Sequence, residues 1–189
     1  METQQMKIFF RIMILASSIL LAHQISADAE TNPSIDWSSA ESIGKHIEVR
    51  QDPESGEISY GPNFSKSNQL LSKNFSDIYL LRVVDLSGED HYALYISAQY
   101  EDKDWRSYET VVNAQGKVSL PLTVLSKTGG NCSGVVCQHK EKLAIPLSFL
   151  YFFDGSVSGL DITISGSRND RIQIPASYFK AMLNTIPEE

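Results

Sequence analysis

The sequence predicts a mainly β protein, an antiparallel β-sandwich with a short C-terminal α-helix. Three observations lead there. Between His91 and Tyr100, the residues Tyr92, Leu94, Ile96, Ala98 and Tyr100 alternate with His91, Ala93, Tyr95, Ser97 and Gln99, the period of two that gives a strand one buried face. Short β-prone runs recur along the chain between clusters of Gly, Pro, Asn and Asp, which supply turns. From Pro175 the period changes, and Tyr178, Phe179, Met182, Leu183 and Ile186 fall at the three-and-four spacing of one helical face, with Pro175 suited to the first turn.

The elements follow in order. Residues 1–29 read as a signal peptide: Lys7 and Arg11 precede an apolar run from Ile12 to Ala22, and Ala27-Asp28-Ala29 gives a small-x-small cleavage pattern near Ala29. That run is shorter than the roughly 20 residues that span a bilayer, so an anchoring helix is the weaker alternative. Residues 30–45 form a polar lead-in, and 46–189 a single domain. His46–Arg50 and Glu57–Tyr60 flank Asp52-Pro53-Glu54-Ser55-Gly56 as a hairpin, and 63–74 is a loop or a short helix. Ile78–Leu86 and His91–Tyr100 pair as the strongest hairpin, with Tyr92, Leu94 and Ile96 turned to the core. Trp105–Val112 and Lys117–Leu125 make a second hairpin, whose later strand Pro121 demotes to an edge or a bulge. A glycine-rich loop then leads to a short run, Leu143–Leu147, interrupted by Pro146. Phe149–Phe153 fits neither period. Leu160–Ser165 and Arg171–Ile174 are strands about a turn at 167–170, and the helix closes the chain.

Composition bounds the function. With 16 Lys plus Arg against 23 Asp plus Glu the net charge is −7, which argues against a nucleic-acid partner, since phosphate binding needs a basic face. Removing the signal peptide takes two charges of each sign and leaves about 160 residues, enough to bury about two thirds of the unfolded surface in one core. No later stretch is apolar for 18 residues, so no membrane span is expected in the mature chain.

Chemistry-bearing residues are few. Cys132 and Cys137 sit close together in an exported chain, which favours a local disulfide; a redox dithiol wants a helix N-terminus, and a metal set with His139 is incomplete. No cofactor loop, His-Glu-x-x-His pattern or Gly-x-Ser-x-Gly elbow occurs, so neither a cofactor nor a metal is expected. Asp102 and Asp104 beside Trp105 invite a calcium or sugar reading, but an EF-hand count from Asp102 puts Arg106 and Ser107 where a ligand and the Gly belong. Tyr95, Trp105 and Tyr108, with Asp102 and Asp104, make a candidate binding surface, an aromatic centre with an acidic rim. Asn63, Asn74 and Asn131 each begin a glycosylation acceptor triplet.

Trp105 with Tyr108, Gly116, Cys132 and Cys137 followed by Glu141, and the ending Ile174-Pro175-Ala176-Ser177-Tyr178 resemble a group of exported bacterial proteins of unknown function. The tail from Cys132 also resembles, distantly, the invasion-associated locus B family in its close cysteine pair, apolar segment, glycine, strand and final helix. It departs from that family at Val136, where a Gly is usual, and lacks the Lys-Gly-Phe helix start. The resemblance implies an exported β-rich domain and supplies no catalytic residue. The expectation is therefore a periplasmic or secreted non-catalytic protein that binds an envelope component or a host protein. Two alternatives stand beside it. One is a small exported hydrolase using Asp102, Asp104, Glu141 and His139; the other is an inhibitor of a secreted enzyme acting through the loop Thr128–Cys137.

Overall fold

The computed structural model describes residues 34–114 and 118–186; the expected signal peptide, its expected cleavage region and Gly116 lie outside them. The compact unit runs from Ile35 to the C-terminus, so it starts before the expected boundary at His46. Residues 35–45 of the expected polar lead-in belong to it. Helix α1 (Ala40–Gly44) starts at Ser39, whose hydroxyl accepts from the Ser42 amide, and Ile43 is fully buried. Trp37 packs edge-on to Phe64 at 4.9 Å and to Tyr178 at 5.5 Å.

Strands β1 (Glu48–Asp52) and β2 (Gly56–Tyr60) form the first hairpin. A 3-10 turn at Phe64–Ser67 and helix α2 (Gln69–Asn74) fill the next stretch, capped by the side chains of Asn63 and Asn68. Strands β3 (Phe75–Val84) and β4 (Asp90–Asp102) form the long central hairpin. Then β5 (Thr110–Asn113) and β6 (Val118–Leu120) pair in a second sheet. Strands β7 (Thr123–Ser133) and β8 (Val136–Leu147) return to the first. Helix α3 (Phe149–Ser158), strands β9 (Leu160–Ser165) and β10 (Asn169–Ile174), and helix α4 (Ala176–Leu183) complete the chain.

The result is mainly β, with two antiparallel sheets ordered β1-β2-β3-β4-β8-β7 and β10-β9-β5-β6. One core joins them. Leu80, Leu94, Ile96, Leu143 and Ile145 of the larger sheet share it with Val111, Ile162, Ile164 and Ile172 of the smaller and with Phe152, Tyr178 and Phe179 of the helices. The alternation in β4 points Tyr92 to Tyr100 into this core as expected. Its other set departs from the one-faced pattern. Ala93, Tyr95 and Ser97 are buried too, Tyr95 stacks on Tyr79 with ring centres 4.6 Å apart, and these residues form no part of the shared core.

Several segments differ from the sequence expectation. The expected strand Trp105–Val112 is irregular as far as Glu109 and enters the smaller sheet only at Thr110. The run 117–125 is not one strand: the chain leaves the smaller sheet after Leu120, passes Pro121 and Leu122, and enters the larger at Thr123. Pro121 lacks the donor a continuing ladder needs. The glycine-rich stretch is not a loop but the end of the β7–β8 hairpin, which turns on Gly134 and Val135. Pro146 does not break β8, because β7 pairs only as far as Ala144 and no second neighbour asks for its missing amide hydrogen.

Candidate functional site

Between β4 and β5 the chain crosses from one sheet to the other through residues 103–109, and a buried polar network holds that crossing. Tyr100 donates its hydroxyl to Glu141 Oε1, which also accepts the Ser107 amide at 3.0 Å. The Arg106 amide donates to Tyr100 Oη at 2.8 Å, and the Arg106 guanidinium lies 4.2 Å from the Tyr100 ring centre. That guanidinium reaches Asn74 Oδ1 at 3.1 Å, Tyr108 Oη at 3.2 Å and Asp170 Oδ2 at 3.4 Å. Tyr108 donates to Asp170 at 2.6 Å. Burial raises the pKa of both Tyr100 and Tyr108, keeping these hydroxyls neutral donors.

Glu141 has no solvent exposure. Lys127 Nζ stands 3.3 Å from its Oε2, close enough for charge pairing but without the alignment of a hydrogen bond. A buried carboxylate is tolerable only when paired and hydrogen-bonded, and Tyr100, Ser107 and Lys127 supply both. Ser107 adopts φ 48°, a left-handed backbone that a non-glycine residue holds only when its surroundings fix it. Here the fixing groups are Glu141 and the β9–β10 turn, where the Ser167 amide donates to Arg106 O at 2.6 Å. Gly166 is required at that turn, since a Cβ would lie 2.2 Å from the same carbonyl oxygen.

The proposed aromatic surface does not assemble. Tyr108 is fully buried in the shared core, Tyr95 is 3% exposed on the other face of the larger sheet, and only Trp105 is partly open. Trp105 packs on His139 at 4.4 Å and against Gly129, bracing the β7–β8 hairpin. Asp102 is half-buried beside Arg168 at 3.5 Å, while Asp104 is exposed. Of the acid and base candidates, Glu141 is sealed in the network, and the buried His139 donates from Nε2 to Asp102 O at 3.2 Å. Glu141 is spent on the crossing, His139 and Asp102 are bonded to each other, and Asp104 stands apart on the exposed side, so the four converge on no common cleft. Asn63 spends its amide on Ser76 O and Asp77, and Asn74 bridges Arg106 and Asp170, so glycosylation of either would break the network it serves. The side chain of Asn131 lies outside the described residues.

Cys132 and Cys137 are joined as the sequence predicted, directly across the hairpin from one another. Gly134 at φ 64° opens the two-residue turn, where a positive φ matches the twist of the flanking strands. Val135 at its tip is 74% exposed.

Sequence reasoning missed the open apolar face of α3. Ser148 caps this helix by accepting the Tyr151 amide, Phe152 and Gly155 turn to the core, and Phe149, Leu150, Phe153 and Val157 are exposed by 56%, 67%, 50% and 74%. Positions 149, 153 and 157 recur every four residues, so they lie in one stripe, with Leu150 beside it. The run hid because a helix apolar on both sides shows no amphipathic period. Its available signal was Ser148 before an apolar block, an N-cap pattern.

Among the described residues no helix is long and apolar enough to cross a membrane. The chain matches no family model, no curated protein and no solved structure.

Proposed function

We propose that the chain is an exported, non-catalytic protein that binds another protein by seating the apolar stripe of α3 in that partner's groove. The observation that carries this is the outward set Phe149, Leu150, Phe153 and Val157, on a helix whose other side is anchored in the core. Contiguous exposed apolar side chains are uncommon on a surface that meets only water. The disulfide supports an oxidising compartment, and with it export.

The chemistry of the stripe selects the partner class. Spacing by four over about 12 Å is the helix-in-groove mode. The stripe offers on the order of 400 Å², about half of what each partner gives to a standard stable interface, which disfavours a flat self-dimer. A net charge of −7 opposes adsorption to an anionic bilayer. The test is capture of an envelope protein by the chain, repeated with Phe153→Asp and with Trp105→Ala. The expected result is a partner kept by Trp105→Ala and released by Phe153→Asp. Capture insensitive to Phe153→Asp, a dimer abolished by that change, or binding to anionic vesicles would each overturn the reading.

A second reading rests on Val135. A disulfide-locked tip lowers the ordering cost of inserting a loop into a protease-like cleft. Val135→Asp would then abolish inhibition of a target enzyme while Phe153→Asp would not.

A further inference from the structure

The turn between β3 and β4 gathers a different chemistry. Asp85, Glu89 and His91 each bring one ligand atom to within 4.8 Å of the others. Asp85 Oδ2 stands 3.1 Å from His91 Nε2, and both side chains are largely buried, at 14% and 10% exposure. We propose that this turn is a binding site for one divalent transition-metal ion, with Zn²⁺ the best match.

Donor type comes first. One imidazole nitrogen with two carboxylates is the mixed set that zinc accepts, whereas calcium and magnesium take oxygen donors. Distance comes next. Zinc bonds of about 2.0–2.2 Å in a tetrahedron place ligand atoms roughly 3.3–3.6 Å apart. The Asp85–His91 pair is already near that spacing. Glu89, on the exposed side, brings its carboxylate within 4.8 Å of both and would close onto the ion by a rotamer change. A fourth position remains for water.

The carboxylate is set for the task. Asp85 Oδ1 accepts the Ser87 amide at 2.8 Å, the Ser87 hydroxyl at 2.6 Å and the Glu89 amide at 2.9 Å, which orients the group and leaves Oδ2 facing His91 Nε2; the ion would take the place of the proton between them, which is released to water. Among the described residues neither Lys nor Arg pairs with Asp85. An ion there would pin the two central strands of the larger sheet at their turn.

The test titrates the full chain, disulfide formed, with Zn²⁺ by calorimetry and with Co²⁺ by visible absorption. One equivalent should bind, with the d–d bands of a four-coordinate cobalt. His91→Gln and Glu89→Gln should each weaken affinity at least tenfold, while His46→Gln should bind as the parent does. Circular dichroism checks the fold of each variant, and Glu89→Gln, on an exposed side chain, keeps the test available should His91→Gln misfold. No binding at micromolar zinc, or binding that survives both single changes, would overturn the proposal.

Discussion

Ser107 and Glu141 show how single residues set the path of this chain. Ser107 is held at positive φ because its amide has a buried carboxylate to meet. Glu141→Ala would leave the Tyr100 hydroxyl and the Ser107 amide without their shared acceptor and Lys127 without its counter-charge, and should cost about 3–5 kcal/mol in denaturant unfolding. Glu141→Gln keeps an acceptor oxygen and should cost distinctly less. Asp85 makes a prediction in pH. The Ser87 hydroxyl, the His91 ring and two backbone amides hold its pKa below the ordinary range of an aspartate. A depressed carboxylate contributes stability above its unfolded pKa and loses it as pH falls through the folded one. Acid unfolding followed below pH 4 should therefore steepen through Asp85, and Asp85→Asn should flatten that dependence.

Among the elements, α3 and the β7–β8 hairpin carry the most. Gly155 lets α3 approach α4: a Cβ there would lie 2.8 Å from the Phe179 ring. Gly155→Ala should destabilise by about 1–3 kcal/mol through overpacking, read as a lower denaturant midpoint. Replacing both Cys132 and Cys137 by Ser should cost about 2 kcal/mol, the closure entropy of so short a loop, without unfolding the domain. Legibility divides along the same lines. The β3–β4 hairpin and α4 were readable because each shows one clean period over enough residues. The hairpin through Gly129, Gly130 and Gly134 was not, because pairing with β8 and the disulfide supply what local propensity lacks there. The Tyr95 to Tyr108 surface failed for a related reason: spacing in a strand tells which residues share a face, not whether another layer covers it.

At the scale of the whole molecule, the two sheets share one core, and the irregular crossing between them is fixed by the Glu141 and Asp170 networks. Two of the residues that looked chemical in the sequence, Glu141 and Tyr108, are spent on holding this crossing. The proposed recognition surface is the exposed apolar stripe on α3, in a chain of net charge −7. A photo-crosslinking side chain placed at Leu150, compared with one at Leu86, tests that most directly, because the two positions are similarly exposed at 67% and 73% and differ in location. The account predicts a discrete crosslinked protein from position 150 and none from position 86. Equal crosslinking from both positions, or none from 150, would contradict it.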